Sequence, residues 1–218
     1  MQSKWHLAGM SLLVVICGVI LLSADSPAAY GEDGAKTAAA DKKEPPKVGD
    51  EAPTFELKGT DGKTYRLSEL RDKIVVLEWC NQDCPYSNFK TGIGPKAKET
   101  SARFAERGVV WLAVDSTHYQ TAGNDAKYVK DNKIPHPILL DQDGTVGRSY
   151  GAKTTPHLFI IQKGRLVYTG AFGTNPREVR DPAKQRCYVD EVLTALLDGK
   201  TPPVSTTDSW GCPVKYKK

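Results

Sequence analysis

Ile74-Val75-Val76-Leu77-Glu78-Trp79 runs directly into Cys80-Asn81-Gln82-Asp83-Cys84-Pro85. The first six residues are almost continuously apolar and rich in β-branched side chains, which suits a strand buried on both faces of a sheet. Cys84 follows just past the strand's C-terminal end, and Pro85 after it suits the first position of a helix. The sequence therefore predicts a thiol among unpaired backbone N–H groups at the positive end of a helix dipole. Both favour the thiolate and turn an ordinary cysteine into a nucleophile. Asp83 works in the opposite sense if its carboxylate points at the sulfur. Cys80 lies four positions earlier, one more than a C-x-x-C spacing allows. Its direct pairing with Cys84 depends on how the loop folds, and the other reading is a small buried hydrophobe at the strand end.

Outward from this stretch the chain alternates strand and helix patterns. Thr54-Phe55-Glu56-Leu57 and Thr64-Tyr65-Arg66-Leu67 flank a Gly59-Thr60-Asp61-Gly62-Lys63 turn, which predicts an opening hairpin, with Ser68 as a cap before Glu69-Leu70. After Cys84 a turn or two of helix is interrupted by Gly92, Gly94 and Pro95 and resumes from Lys96 to Glu106. Val109 to Val114 reads as a second buried strand, completing a parallel βαβ unit. A short helix from Asn124 to Asn132, a brief strand at Ile138-Leu139-Leu140 and a turn at Asp141-Gln142-Asp143-Gly144 come next. Leu158 to Ile161 and Leu166 to Thr169 are joined by Lys163-Gly164 as a hairpin. A helix from Lys184 to Leu197 carries an apolar stripe of Val189, Val192, Leu193, Leu196 and Leu197. The expected architecture is α/β, a central mixed β-sheet flanked by helices and opened by an N-terminal β-hairpin.

The ends of the chain are different material. Residues 1–28 place Lys4 and His6 before an apolar run from Leu7 to Leu22 and then small residues, the order of a signal peptide or of a retained N-terminal membrane anchor. Both readings export the folded part, to a periplasmic or extracellular location. Residues 29–47 form a flexible linker of Gly, Ala, Lys, Glu, Asp and Pro, the domain occupies 48–200, and a C-terminal tail, 201–218, carries Cys212. In the whole chain of 218 residues, 39% are hydrophobic, 26% are charged and the net charge is +4. That composition fits one globular domain with tails and leaves no room for a second large core. The positive charge is small and spread out, which argues against a nucleic-acid groove. His118, His136 and His157 have no metal-ligand spacing, and Asp141-x-Asp143-Gly144 lacks the later ligands of a calcium loop, so no metal is expected.

Cys17 lies in the leader, leaving Cys80, Cys84, Cys187 and Cys212 for the exported domain. Sequence alone leaves open two disulfides, or one disulfide and two free thiols. Cys212 sits in Trp210-Gly211-Cys212, an aromatic-Gly-Cys cluster in a tail otherwise rich in Thr, Ser, Asp and Pro. It reads either as a thiol that reaches back to Cys84 or as half of a structural bond to Cys187 or Cys80. Cys187 begins the last helix and reads as a packing residue.

Three blocks together resemble a known family: Gly49-Asp50-Glu51-Ala52-Pro53-Thr54-Phe55-Glu56-Leu57, Leu77-Glu78-Trp79-Cys80-Asn81-Gln82-Asp83-Cys84-Pro85, and Thr154-Thr155-Pro156-His157-Leu158-Phe159-Ile160-Ile161. They are similar to the peroxiredoxin-like (alkyl hydroperoxide reductase / thiol-specific antioxidant) branch of the thioredoxin superfamily. The resemblance implies a thioredoxin-like fold, Cys84 as the active-site cysteine, Thr155-Pro156 as the pair bearing a cis-proline beside it, and Trp79 as the aromatic that precedes the active loop. The chain departs from the family's P-x-x-x-T/S-x-x-C motif. Leu77 stands at the proline and Asn81 at the hydroxyl, whose hydrogen bond to peroxide the Asn81 amide would have to supply. Arg148 is the candidate for the arginine that supports the thiolate.

The resemblance implies thiol–disulfide or thiol-dependent peroxidase chemistry without a bound cofactor. Cys84 would attack a hydroperoxide or disulfide substrate, a second thiol such as Cys212 or Cys80 would resolve the intermediate, and an external thiol reductant would restore the dithiol. The non-enzymatic alternative is a tethered binding module with its cysteines locked in structural disulfides.

Overall fold

The computed structural model describes residues 44–218. The leader and the first part of the linker lie outside the described residues. The chain opens with the expected hairpin, β1 (Glu56–Lys58) antiparallel to β2 (Thr64–Arg66). A 3₁₀ turn at Leu67–Leu70 follows with no side-chain cap, so Ser68 lies inside the turn rather than capping a helix.

Five strands form the main sheet: β3 (Ile74–Trp79), β4 (Val110–Asp115), β5 (Ile138–Leu140), β7 (His157–Gln162) and β8 (Arg165–Gly170). Their order is β5-β4-β3-β7-β8, with β4 parallel to β3 and β5, and β7 antiparallel to both β3 and β8. This is a mixed α/β sheet of thioredoxin-like form. Strand β3 is central and buried on both faces, which explains its unbroken apolar sequence. Val75, Leu77 and Trp79 join one core with Tyr150, Phe159 and Leu166. Val76 points the other way, into a core with Phe104, Trp111, Leu158 and the last helix. The turn between β7 and β8 has positive φ at both Lys163 and Gly164, as a two-residue turn matched to strand twist requires.

The helices are α1 (Gly94–Ala105), α2 (Ala122–Asn132), α3 (Thr145–Tyr150) and α4 (Tyr188–Leu197). Pro95 lies in the first turn of α1, where its missing N–H costs nothing. The Thr121 hydroxyl caps α2 by accepting from Asn124 N at 3.2 Å. Helix α4 is shorter than the Lys184–Leu197 expectation because Pro182–Lys184 makes a separate 3₁₀ turn and Cys187 takes the N-cap position. Helix α3 has no forerunner in the sequence pattern. Its six residues show no apolar period, and it is started instead by the buried Asp141 carboxylate, which accepts from Val146 N at 3.0 Å and Gly147 N at 2.8 Å. Two short strands, β6 (Thr154–Thr155) and β9 (Cys212–Pro213), pair antiparallel and bring the tail back onto the domain. No helix among the described residues is long and apolar enough to cross a membrane.

Beneath the loop after β3, two buried carboxyls face each other, Asp115 at the end of β4 and Asp125 in the first turn of α2. Both are 1% exposed. Asp115 Oδ2 and Asp125 Oδ1 have no hydrogen-bond donor among the described residues. One proton held between the two carboxyls supplies it. Burial first, then the Asp115 charge, pushes Asp125 up to about 8, while burial raises Asp115 as well. The unfolded chain releases this proton near the ordinary carboxylate range, so the stability it contributes is complete at acid pH and is lost as pH rises toward about 8. Asp125→Asn, which keeps a donor facing Asp115, should flatten that loss and be more stable than wild type at pH 9 by about 1–2 kcal/mol. Urea unfolding at pH 6 and pH 9 checks it; equal losses in both proteins would refute the shared proton.

Candidate active site

Cys84 does not begin a helix. Residues 81–93 form a chain of turns and α1 starts only at Gly94. The expected helix dipole is therefore absent from the site, because Gly92 at φ 60° and close packing of Gly94 against the Asn88–Phe89 backbone delay the helix by ten residues after Cys84. The loop is braced locally instead. Asn81 O accepts from Cys84 N at 3.0 Å, and Cys84 O accepts from Asn88 N at 2.9 Å. Asn81 spends its side-chain oxygen on Asp83 N at 2.8 Å, and its own N–H bonds Ser87 Oγ at 3.1 Å. Asp83 turns its carboxylate to Gln120 Nε2 at 2.8 Å, and its charge bears on Asp115 and Asp125.

Cys84 is 2% exposed, and its thiol donates to the Thr155 carbonyl at 3.0 Å. The Thr155–Pro156 bond is cis. Across β6, Thr155 is paired with Cys212, so the tail lays the second cysteine against the first. Gly211, at φ 145°, packs on the Thr155 carbonyl, where any Cβ would collide. The two sulfurs are hydrogen-bonded to each other and titrate in opposite directions. Burial opposes a charge on Cys84, but the Thr155 and Cys212 side chains and the Cys212 and Tyr86 amides outweigh it and lower the thiol to about 7. Cys212 is pushed up to about 11 by burial and by the neighbouring Cys84 charge. The Thr155 carbonyl favours the protonated thiol of Cys84, so the donors on the other sides carry the shift. These opposite shifts favour ionisation of Cys84 before Cys212.

The remaining candidates stand elsewhere. Cys80 is 3% exposed, packs with Ala113 and Ile138, and is raised well above the usual thiol range by burial. It lies in the core and is not joined to Cys84. Cys187 stands at the N-cap position of α4 without a side-chain capping bond, is raised to about 11 by burial, and donates to Phe172 O at 3.7 Å. All four described cysteines are free thiols. Trp79 is wholly buried, donating to Ser116 Oγ at 2.9 Å with its ring against Tyr150 and Phe159, on the sheet face opposite Val76. Arg148 supports no thiolate. Its guanidinium donates to Asp143 O at 2.7 Å and Lys217 O at 2.6 Å and covers the Tyr216 ring.

Sequence reading missed Tyr86, whose amide reaches the Cys84 sulfur while its ring stands edge-on to Trp210 at 5.9 Å. The only signal for this was the Trp210-Gly211-Cys212 cluster. A cleft of about 340 Å³ lies between them, lined by Tyr86, Ile93, Phe172, Cys187 and Trp210. Among the described residues no group of His, Cys, Asp and Glu converges as a metal site.

The AhpC/TSA family pattern matches residues 48–169, which hold β1 through most of β8 together with Cys84 and the Thr155–Pro156 bond. The chain belongs to the AhpC/TSA family. A thiol-disulfide oxidoreductase ResA of Bacillus thuringiensis is 26% identical over 144 residues, spanning 63% of this chain and 76% of ResA. The selenocysteine-containing peroxiredoxin PrxU of Peptoclostridium acidaminophilum is 35% identical over 133 residues, spanning 55% of this chain and 61% of PrxU. An uncharacterized conserved protein from Geobacillus kaustophilus shares the fold with a TM-score of 0.68 at 24% identity, covering 78% of this chain and 93% of its own. The family and the cysteine pair together support thiol redox chemistry for this AhpC/TSA protein.

The asymmetry of the pair is directly measurable. Alkylation of Cys84 by iodoacetamide should follow a midpoint near pH 7, and Cys212→Ala should move that midpoint upward by removing the side-chain donor while keeping the amide at position 212. A wild-type midpoint at or above that of free cysteine, about 8.5, would refute the assignment of the charge.

Proposed function

We propose that this AhpC/TSA-family protein is an exported two-cysteine redox enzyme that reduces a small oxidant, a hydroperoxide, with Cys84 as nucleophile and Cys212 as resolving thiol. The observation that carries this reading is that the Thr155–Cys212 strand pairing lays Cys212 against Cys84, whose sulfur lies 3.0 Å from the carbonyl of the residue before the cis-proline, with Cys84 lowered and Cys212 raised. Two features favour a small substrate. Cys84 is 2% exposed, and the β6 edge beside it, where an extended polypeptide could pair, is already occupied by β9. The leader pattern of residues 1–28 supports export, with a periplasmic, secreted or membrane-tethered location.

In the first step the Cys84 thiolate attacks the distal oxygen of the hydroperoxide. The O–O bond breaks, the leaving alkoxide takes a proton to become an alcohol, and Cys84 is left as sulfenic acid. Cys212 then loses its proton and attacks Cys84 sulfur, forming the disulfide and releasing water. An external thiol reductant restores the dithiol by exchange. Thiol–disulfide exchange by the same pair is the second reading, favoured by the ResA relatives.

Reduced protein mixed separately with hydrogen peroxide and with a small disulfide, and followed by mass, separates the two. The peroxide should oxidise Cys84 first and then yield one Cys84–Cys212 disulfide. Cys84→Ser should abolish this, and Cys212→Ser should stop at sulfenic acid. Reaction with the small disulfide alone would favour exchange, and Cys84→Ser with unchanged thiol loss would refute both.

A further inference from the structure

Beyond Cys212 the tail takes no part in the proposed chemistry, yet four consecutive residues are tied to the domain. Val214 N donates to Lys153 O at 3.1 Å and Lys215 O accepts from His118 N at 3.0 Å. The Tyr216 hydroxyl donates to Ala152 O at 2.9 Å, and Lys217 O accepts from Arg148 at 2.6 Å. The Arg148 guanidinium carbon lies 4.7 Å from the centre of the Tyr216 ring, a cation–π contact, and a second arm of the same fork donates to Asp143 O. Room for that ring comes from two glycines of the turn and helix α3. A Cβ on Gly144 or on Gly147 would sit 2.5 Å from a Tyr216 atom.

Strand β9 itself is two residues long, too short to hold a tail in place by backbone pairing alone. Upstream, Trp210 Nε1 donates to Gly173 O at 3.0 Å and the Thr207 hydroxyl accepts from Ala171 N at 2.9 Å. Cys212 is thus suspended between two anchors: upstream Trp210 stands edge-on to Tyr86, itself covered by Arg177, and downstream Arg148 closes over the Tyr216 ring and binds the backbone beyond it.

We infer that Arg148 and Tyr216 form a clasp that seats Cys212 over Cys84, making them positioning residues for the resolving step. The inference rests on Cys212 as the resolving thiol. Closing a disulfide requires Cys212 sulfur to stay in line with the sulfenic sulfur, and a displacement of about 1 Å in such a geometry costs roughly 100-fold in rate. Without the clasp the tail frays from its C-terminal end to β9, while Thr155 and the Tyr86 amide still hold Cys84.

The test uses the full chain, reduced, mixed with hydrogen peroxide and quenched at intervals with a 1,3-diketone that traps sulfenic acid. In Arg148→Ala and Tyr216→Ala, the rate at which peroxide consumes Cys84, divided by the fraction of Cys84 ionised as read from its alkylation midpoint, should stay within about three-fold of wild type, while disulfide closure slows by roughly 10–100-fold. Sulfenic and then sulfinic acid should accumulate on Cys84. Arg148→Lys, which keeps a cation over the ring and loses the planar fork, should restore closure in part. A role in fold stability alone would depress both steps together. If either alanine variant fails to fold, the ratio of trapped to closed product is read in Arg148→Lys and Tyr216→Phe, where a smaller slowing of closure in the same direction is expected. Closure at the wild-type rate in all folded variants overturns the clasp and leaves the proposed function standing. Wild-type protein that oxidises at Cys84 without closing to Cys212 overturns the proposed function and the clasp with it.

Discussion

The site depends on one short antiparallel contact, Thr154–Thr155 against Cys212–Pro213. It joins a segment next to the cis-proline to a segment 57 residues further along the chain, as the Thr155–Cys212 contact spans. Most of what distinguishes Cys84 from an inert buried thiol passes through that contact. Thr155 supplies one polar neighbour, Cys212 supplies a side-chain and a backbone donor, and Tyr86 completes the set from the active loop. Beside it, β3 and β7 form a base of largely buried strand, and the active loop that carries Cys84 leaves directly from the end of β3.

The acidity of Cys84 therefore has a different origin from a helix dipole. A dipole acts over the first turn and is indifferent to the redox state of a partner. Here the principal donors include the partner thiol itself, so the same group that lowers the Cys84 pKa is the one that would later bond to it. Such an arrangement gives a better leaving group and a protonated resolving thiol without any basic side chain at the site. Arg148 instead holds the tail, through Lys217 O and the Tyr216 ring.

Buried polarity is concentrated under the active loop rather than spread through the core. Glu78 is wholly buried, takes one bond from Trp111 Nε1 at 2.9 Å, and is raised to about 7 by burial. With Asp115 and Asp125 it makes a zone where protonated carboxyls stand in for apolar packing, at a cost that a hydrophobic core would avoid. Cys80 lies in this zone, and burial first, with any charge on Asp115 and Glu78 adding to it, holds its thiol protonated. Two cysteines four residues apart are thus driven to opposite states by which side of the loop they face.

Local pattern alone determined the sheet strands, the two hairpins and the place of Cys84 at the end of β3. Apolar runs bounded by turn residues are short-range signals, and both hairpin turns and strand ends were read from them. The order of the blocks around Cys84 and Pro156 likewise carried the family, because those blocks lie on elements the sequence specifies locally. The α3 helix, the delay of α1 to Gly94 and the fate of Arg148 were decided only in three dimensions. Each depends on a partner distant in sequence: Asp141 on the amides it starts, the Asn88–Phe89 backbone on Gly94, and Tyr216 on the guanidinium. The choice among the cysteines was of the same kind. Composition permits several pairings, and only the β6–β9 register, a long-range backbone contact of two residues, sets Cys212 rather than Cys80 beside Cys84.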